Sequence, residues 1–312
     1  MPIRSSVSWH THPFDRPEGD DVVNDFPRKT LTERELVELQ NANDSGRQPV
    51  LFVHGLWLLS SSWDPWRALF EDAGYATVAP GWPDDPDTVA EARAHPEAFA
   101  HKMVQAVTDH YLEAVRELTR KPAIIGHSFG GLIVQKIAGE EVAAVTVTID
   151  PAPGRGVLPL PASALKAGSP VLGNPANARR SVTLTYDEFL YGWANNLDED
   201  EAKQLYEEFH VAASGVPIFQ AAAANLNPFS ETKVDYKAAA RGPLLVVSGE
   251  KDHTVPRAIS HAAYKKHSKN VSVTEFVEMA GRGHSLTIDH GWQEVAQTSL
   301  EFIERFAPPA TA

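Results

Sequence analysis

The sequence predicts an α/β fold in which a mostly parallel central sheet is flanked by helices and carries a helical insertion. Three observations lead there. Apolar, β-branched runs of strand length alternate with helix-length amphipathic runs from residue 49 to 149 and again from 244 onward, the signature of a parallel sheet covered on both faces. One strand-like run, Ala123-Ile124-Ile125, passes through Gly126-His127-Ser128-Phe129-Gly130 straight into the helix-forming Leu132-Ile133-Val134-Gln135-Lys136-Ile137-Ala138. The chain has 312 residues, 43% apolar and 22% charged. A chain of that size buries about three quarters of its unfolded surface, enough for one large domain with an insertion.

The elements follow in order. Residues 1–30 are polar, proline-punctuated and without period, and residues 30–42 read as a short helix opened by Thr32, with Glu35 three residues on completing a capping box. The sheet is expected to start at residues 49–54, with no preceding hairpin. Residues 63–73 suit a helix, 76–79 a strand, 96–120 one long helix and 142–149 a β-branched strand ending at Asp150-Pro151. The alternation then stops until about residue 242. That stretch holds the proline-broken Leu158-Pro159-Leu160-Pro161 and helical segments near 185–194, 198–212 and 216–224. Strands resume at Leu244-Leu245-Val246-Val247 and at residues 271–277. The expected organisation is an N-terminal extension (1–47), a core (48–150 and 243–312) and an insertion (151–242).

Chemistry concentrates in three places. In G-x-S-x-G a strand turns into a helix so tightly that the serine is held at strained backbone angles, and the glycines remove Cβ atoms that would collide. Ser128 is thereby presented outward, with Phe129 N–H at a helix N-terminus where developing negative charge is favoured. A serine hydroxyl needs an imidazole to take its proton, and His284 stands on the glycine-rich Gly281-Arg282-Gly283-His284-Ser285 after a strand. A carboxylate must then orient that imidazole. Asp252 follows the strand at 244 and is the favoured acid; Asp150 is its stronger rival and Glu250 a weaker one.

Serine, acid and histidine in that chain order resemble the α/β-hydrolase superfamily, and the likeness runs over roughly residues 48 to 306. Val50-Leu51-Phe52-Val53-His54-Gly55-Leu56-Trp57 resembles the superfamily's strand and His-Gly loop. The resemblance implies a serine esterase or lipase-like enzyme with Ser128 as nucleophile, His284 as base and Asp252 as acid. It implies Leu56 N–H and Phe129 N–H as oxyanion donors, Trp57 N–H being the lesser choice for the first. The H-G-G-G form of some lipases and esterases is absent. In some lipases of this fold the acid follows the strand that Asp150 ends, which keeps Asp150 open as an alternative.

The resemblance also makes 151–242 a cap over the serine. Its aromatics, with Trp57, offer an apolar pocket, and Trp57, Trp193, Phe209, Phe219 and Phe229 are the expected substrate contacts. Against each stands the plainer reading that an aromatic at helical spacing packs in the cap's own core. Trp63, Trp66 and Trp82 carry the same ambiguity. His10 and His12 form an H-x-H pair without a third ligand; His54 reads as structural, His127 as facing away from the reacting centre, and His253, His261, His267 and His290 as surface residues.

The expected reaction is hydrolysis of a carboxylic ester, or a lactone, with an apolar portion through an acyl-enzyme. It needs neither metal nor organic cofactor. Thioesterase, C–C bond hydrolase and cofactor-free perhydrolase use the same groups, and a slow ligand receptor on the same fold is the reading from another class. A serine nucleophile disfavours alkyl displacement of the dehalogenase or epoxide-hydrolase type. The net charge of −13, from 28 basic and 41 acidic residues, repels phosphate backbones and anionic lipid, so nucleic acid and membrane are not expected partners and a small ester-like molecule is. No apolar run approaches the ~20 residues that span a bilayer. No secretion signal is read at the N-terminus, and the lack of cysteine removes disulfides and a thiol nucleophile, which fits a cytoplasmic location.

Overall fold

The computed structural model describes residues 30–310. Among the described residues the frame is a six-stranded sheet in which every neighbouring pair is parallel: β1 (Pro49–Val53), β2 (Ala76–Val78), β3 (Ala123–His127), β4 (Val145–Ile149), β7 (Leu244–Gly249) and β8 (Thr274–Met279), in the order β2-β1-β3-β4-β7-β8. Parallel neighbours require crossovers. Helices α2 (Asp64–Asp72), α3 (Val89–Ala94), α4 (Val104–Glu117), α5 (Phe129–Gly139) and α10 (Arg257–His267) lie in them, while α1 (Glu33–Asp44) precedes β1 and α11 (Trp292–Glu304) follows β8.

Alternation along each strand sets the two cores. On β1, Leu51 and Val53 join one apolar cluster with Leu39 of α1, Tyr111 of α4 and Leu132, Ile133 and Ile137 of α5. Val50 and Phe52 point the other way, into a second cluster with Trp63, Trp66 and Phe70 of the α2 region and Val295, Leu300 and Ile303 of α11. Burying each such side chain contributes about 1.5–3 kcal/mol, so both faces of the central strands are fixed. Trp63 and Trp66 meet edge to face with centroids 5.0 Å apart. They belong to this second core, and the Trp66 indole donates to the Thr287 carbonyl at 2.9 Å.

The capping box forms as expected. Thr32 Oγ1 accepts from Glu35 N–H at 3.3 Å, and Glu35 Oε2 accepts from Thr32 N–H at 2.8 Å. The expected helix over 96–120 is two pieces, a 3₁₀ turn at Pro96–Phe99 and then α4, because His101 between them takes a left-handed φ of 64° that no helix tolerates. Helix α3 and its box, Thr88 with Glu91, were not anticipated. His10 and His12 lie outside the described residues.

Between β4 and β7 the chain forms α6 (Ala162–Leu172), α7 (Tyr186–Gly192), α8 (Glu199–Phe209) and α9 (Val216–Ala223). A small antiparallel ladder, β5 (Ser181–Val182) with β6 (Ala213–Ser214), ties them together. Helix α6, which carries Pro170 inside it, was not anticipated from the sequence. Among the described residues no helix is long and apolar enough to cross a membrane.

Candidate active site

Ser128 occupies the turn between β3 and α5 with φ 56° and ψ −120°, a conformation costly for a residue with a Cβ. The turn is possible because Gly126 has no side chain: a Cβ there would lie 2.3 Å from the Gly130 carbonyl oxygen. Ser128 N–H is tied to the Ile149 carbonyl of β4 at 3.0 Å, so the strain is held by the sheet. The loop after β1 comes equally close. A Cβ on Gly55 would stand 2.8 Å from Ser128 Cβ, which places the His54-Gly55-Leu56 loop directly against the serine. Among the described residues neither Leu56 N–H nor Phe129 N–H donates to a protein acceptor.

Loops at the ends of β7 and β8 bring the other two groups in. His284 Nε2 lies 3.0 Å from Ser128 Oγ, and its Nδ1 lies 2.6 Å from Asp252 Oδ2. The other oxygen of Asp252 accepts from Thr254 N–H at 2.6 Å and Val255 N–H at 2.8 Å. Three donors thus converge on one carboxylate, which fixes its angle to the imidazole. Ser128, Asp252 and His284 are all buried. Glu250 is exposed and instead accepts from Gly281 N–H at 2.8 Å. Asp150 is fully buried, and its donor atom, with one each of Asp252 and His284, falls in a group all within 4.8 Å of one another. Both His284 nitrogens and both Asp252 oxygens are already engaged, so this group is better matched to a proton chain than to an ion.

Two buried histidines correct the sequence expectations. His127 does not face away: it is fully buried, with its ring centroid 4.7 Å from that of His284. Burial, and next the adjacent imidazole, hold His127 well below the usual histidine value, so it stays neutral. Its place as the last residue of β3 turns it inward, which strand alternation alone did not settle. His267 is likewise buried rather than on the surface, with Nε2 3.0 Å from Gln135 Oε1, and burial lowers it to about 3. His253 and His261 are half-buried and His290 is exposed.

Ser128 opens onto a cavity of about 200 Å³ lined by Trp57, Leu184, Trp193, Ile218, Val255 and other mostly apolar groups. Trp57 and Trp193 therefore reach the site. Phe209, Phe219 and Phe229 do not line this cavity. On α9, Ile218, Ala221 and Ala222 share the cavity face, and Phe219, one step round the helix from Ile218, turns toward the main core. Phe209 lies on the far side of α8 beside Trp292, and Phe229 is 89% exposed.

His54 is structural. Its Nδ1 is 2.9 Å from the Gly55 carbonyl, its Nε2 is 3.2 Å from Asp85 Oδ2, and its own carbonyl accepts from the Trp82 indole at 3.1 Å. Lys102 pairs with the same Asp85. The sequence analysis also missed a clamp from the inserted stretch: Asn195 Nδ2 donates to the Lys251 carbonyl at 2.9 Å, Asn196 Nδ2 to the Gly281 carbonyl at 3.1 Å, and the Trp193 carbonyl accepts from Ser285 N–H at 3.1 Å. No local pattern signals such a clamp.

Comparison with known proteins bears on the family and the fold. The family model described as "Alpha/beta hydrolase family" matches residues 50–298. No curated protein matches the chain. Among solved structures, a monoacylglycerol lipase from Paleococcus ferrophilus is similar at 22% identity and a TM-score of 0.58, over 83% of this chain and 95% of that one. A thermophilic esterase from Thermogutta terrifontis is similar at 18% identity and a TM-score of 0.56, over 83% and 90%. An extracellular alpha/beta-hydrolase from a Paenibacillus species is similar at 17% and 0.58, over 81% and 98%. At these identities the likeness is one of fold.

Proposed function

This chain belongs to the alpha/beta hydrolase family, and we propose that within it the chain is a serine hydrolase of carboxylic esters or lactones bearing an apolar portion. One observation carries the reading: Ser128 Oγ, His284 and Asp252 form a continuous hydrogen-bonded chain that ends at the apolar cavity. The solved lipase and esterase share only the fold with it, so the reaction is argued from the site.

In this reading His284 Nε2 takes the proton of Ser128 Oγ as the oxygen attacks the ester carbonyl carbon. The carbonyl π pair moves to its oxygen, and the resulting oxyanion accepts from Leu56 N–H and Phe129 N–H. Asp252 holds Nδ1–H and stabilises the imidazolium. The imidazolium then protonates the leaving alcohol as the C–O bond breaks, leaving an acyl group on Ser128. Water, deprotonated by the same nitrogen, releases the acid. His127, neutral and 4.7 Å from His284, adds no second positive charge beside the imidazolium.

Residues 151–242 act as a cap. Leu184, Trp193 and Ile218 come from this stretch and line the cavity, so it sets the size and polarity of the bound portion. The polar groups at its wall are largely spoken for: Glu188 accepts from Thr185 N–H at 2.7 Å, and Thr254 Oγ1 donates to the Gly192 carbonyl at 2.7 Å. A hydrocarbon portion matches such a wall better than a polar one, whose groups would go unpaired. The test is covalent labelling by a fluorophosphonate, followed by turnover of p-nitrophenyl esters of increasing acyl length and of lactones. A protein that does not label at Ser128 and turns over no ester would refute the reading.

A further inference from the structure

We propose that Asp150 is a second carboxyl of the site, held as the neutral acid whose proton is shared with Asp252, and that it takes over the histidine when Asp252 is removed. The proposal goes beyond the assignment of Asp252 as the orienting acid, and its takeover half rests on that assignment.

Counting donors locates the charge. Asp252 receives three, from His284 Nδ1, Thr254 N–H and Val255 N–H. Asp150 receives fewer, from Gly249 N–H to Oδ1 at 2.9 Å and from the Ser248 hydroxyl beside it, and its remaining hydrogen-bonding neighbour is Asp252 itself. Both residues are buried, within the group whose donor atoms lie within 4.8 Å of one another. Two negative charges cannot coexist at that distance with only one imidazole beside them, so one proton stays, and it stays where fewer donors compete. Burial, and next the adjacent Asp252 charge, push the Asp150 carboxyl well above the usual carboxylate range. The backbone has made room for this. Asp150 has a left-handed φ of 39°, and its N–H is tied to the Val247 carbonyl at 2.9 Å, which turns the side chain back under β7 toward the acid loop.

The consequence is a positioning residue with a conditional role. While Asp252 is ionised, Asp150 keeps its proton and adds a hydrogen-bond donor behind the carboxylate. When Asp252 becomes an uncharged amide, the repulsion that kept Asp150 protonated is gone. Asp150 then releases its proton to solvent and becomes the negative charge nearest His284.

Two measurements test this. Isotope-edited infrared spectroscopy of the wild type at neutral pH, with labelled aspartate, should show a protonated carboxylic acid carbonyl band that vanishes in Asp150→Asn. Its absence from the wild type overturns the proposal whatever the reaction of the enzyme. In kinetics, Asp150→Asn should lower kcat about threefold in the wild type but about a hundredfold in an Asp252→Asn background, bringing the double variant to the ~10⁴-fold loss of a triad without its acid. Equal effects in the two backgrounds would overturn the takeover. Should Asp252→Asn match the wild type, the assignment of Asp252 fails together with the takeover, and the infrared band still decides where the proton resides. Thermal melts of all three variants establish that each is folded.

Discussion

The indole of Trp193 stands edge-on against the imidazole of His284, with centroids 4.7 Å apart and planes at 77°. Trp193 is also stacked at 5.9 Å on Phe189 and almost wholly buried, so it is a wall behind the proposed base as well as part of the cavity. Replacing it by alanine should cost about 3–5 kcal/mol of stability, the range for deleting a buried aromatic. It should also lower kcat more than it raises KM, because a loosened imidazole is misplaced in the transition state. Denaturant melts and steady-state kinetics on one ester check both; a change confined to KM would return Trp193 to the role of a simple substrate contact.

Ser128→Ala should lower kcat by about a million-fold with an unchanged melting temperature or a small gain, since the strained residue keeps its Cβ and loses only its hydroxyl. Labelling by a fluorophosphonate should disappear with it. Turnover surviving in a preparation free of other esterases would remove the serine from the mechanism.

The oxyanion loop can be tested at a single atom. Substituting Leu56 by its α-hydroxy acid through nonsense suppression removes the N–H and leaves the side chain. If that N–H meets the oxyanion, kcat should fall by two to three powers of ten, about 3–4 kcal/mol of transition-state stabilisation. A rate within twofold of the wild type would exclude Leu56 as a donor.

Selectivity should follow the α9 face of the cavity. Ile218→Ala widens the apolar wall without touching Ser128, and it should lower kcat/KM about tenfold for medium-chain acyl esters while leaving the acetyl ester nearly unchanged. Phe219→Ala, on the neighbouring helix face, should cost stability and not shift the chain-length profile. The reverse pattern would mean that the substrate lies elsewhere.

Buried histidines give the stability a pH dependence, and His210 and His267 mark its window. Burial lowers His210 and His267 to about 3 each, while an unfolded chain restores them to about 6.5. Between those values the unfolded state binds more protons than the native state, so stability rises with pH across that window and is lost as pH falls below about 6.5 toward 3. Melting temperatures taken from pH 7 to 4 should drop, and His267→Gln, which retains a donor toward Gln135, should drop less steeply. Parallel curves would show that His267 does not govern acid unfolding.

Much of this was legible in the sequence because it is encoded locally. The turn at Ser128 needs glycines at fixed spacing, the capping box needs Thr32 and Glu35 three apart, and buried parallel strands need runs such as Leu244-Leu245-Val246-Val247. The order of Ser128, Asp252 and His284 was also readable, and folding does bring those three side chains together. What escaped was phase and distance. Ile218 and Phe219 are equally apolar on paper, and only the placement of α9 decides which one meets the cavity. His127 lies next to His284 although 157 positions separate them in the chain. The break at His101 carries no glycine or proline of its own to announce it.

Residues 193–196 hold the loops of Asp252 and His284 by the backbone carbonyls and amides of those loops, while Trp193 and the end of the preceding α7 wall the cavity. Under the proposed function, specificity and catalytic alignment are therefore not separable modules in this protein. An insertion exchanged wholesale for that of another hydrolase would bring a new pocket and discard the brace of the acid and base together. A graft that keeps Trp193-Ala194-Asn195-Asn196 in register, and varies only what precedes and follows, is the one that leaves the reacting groups where they stand.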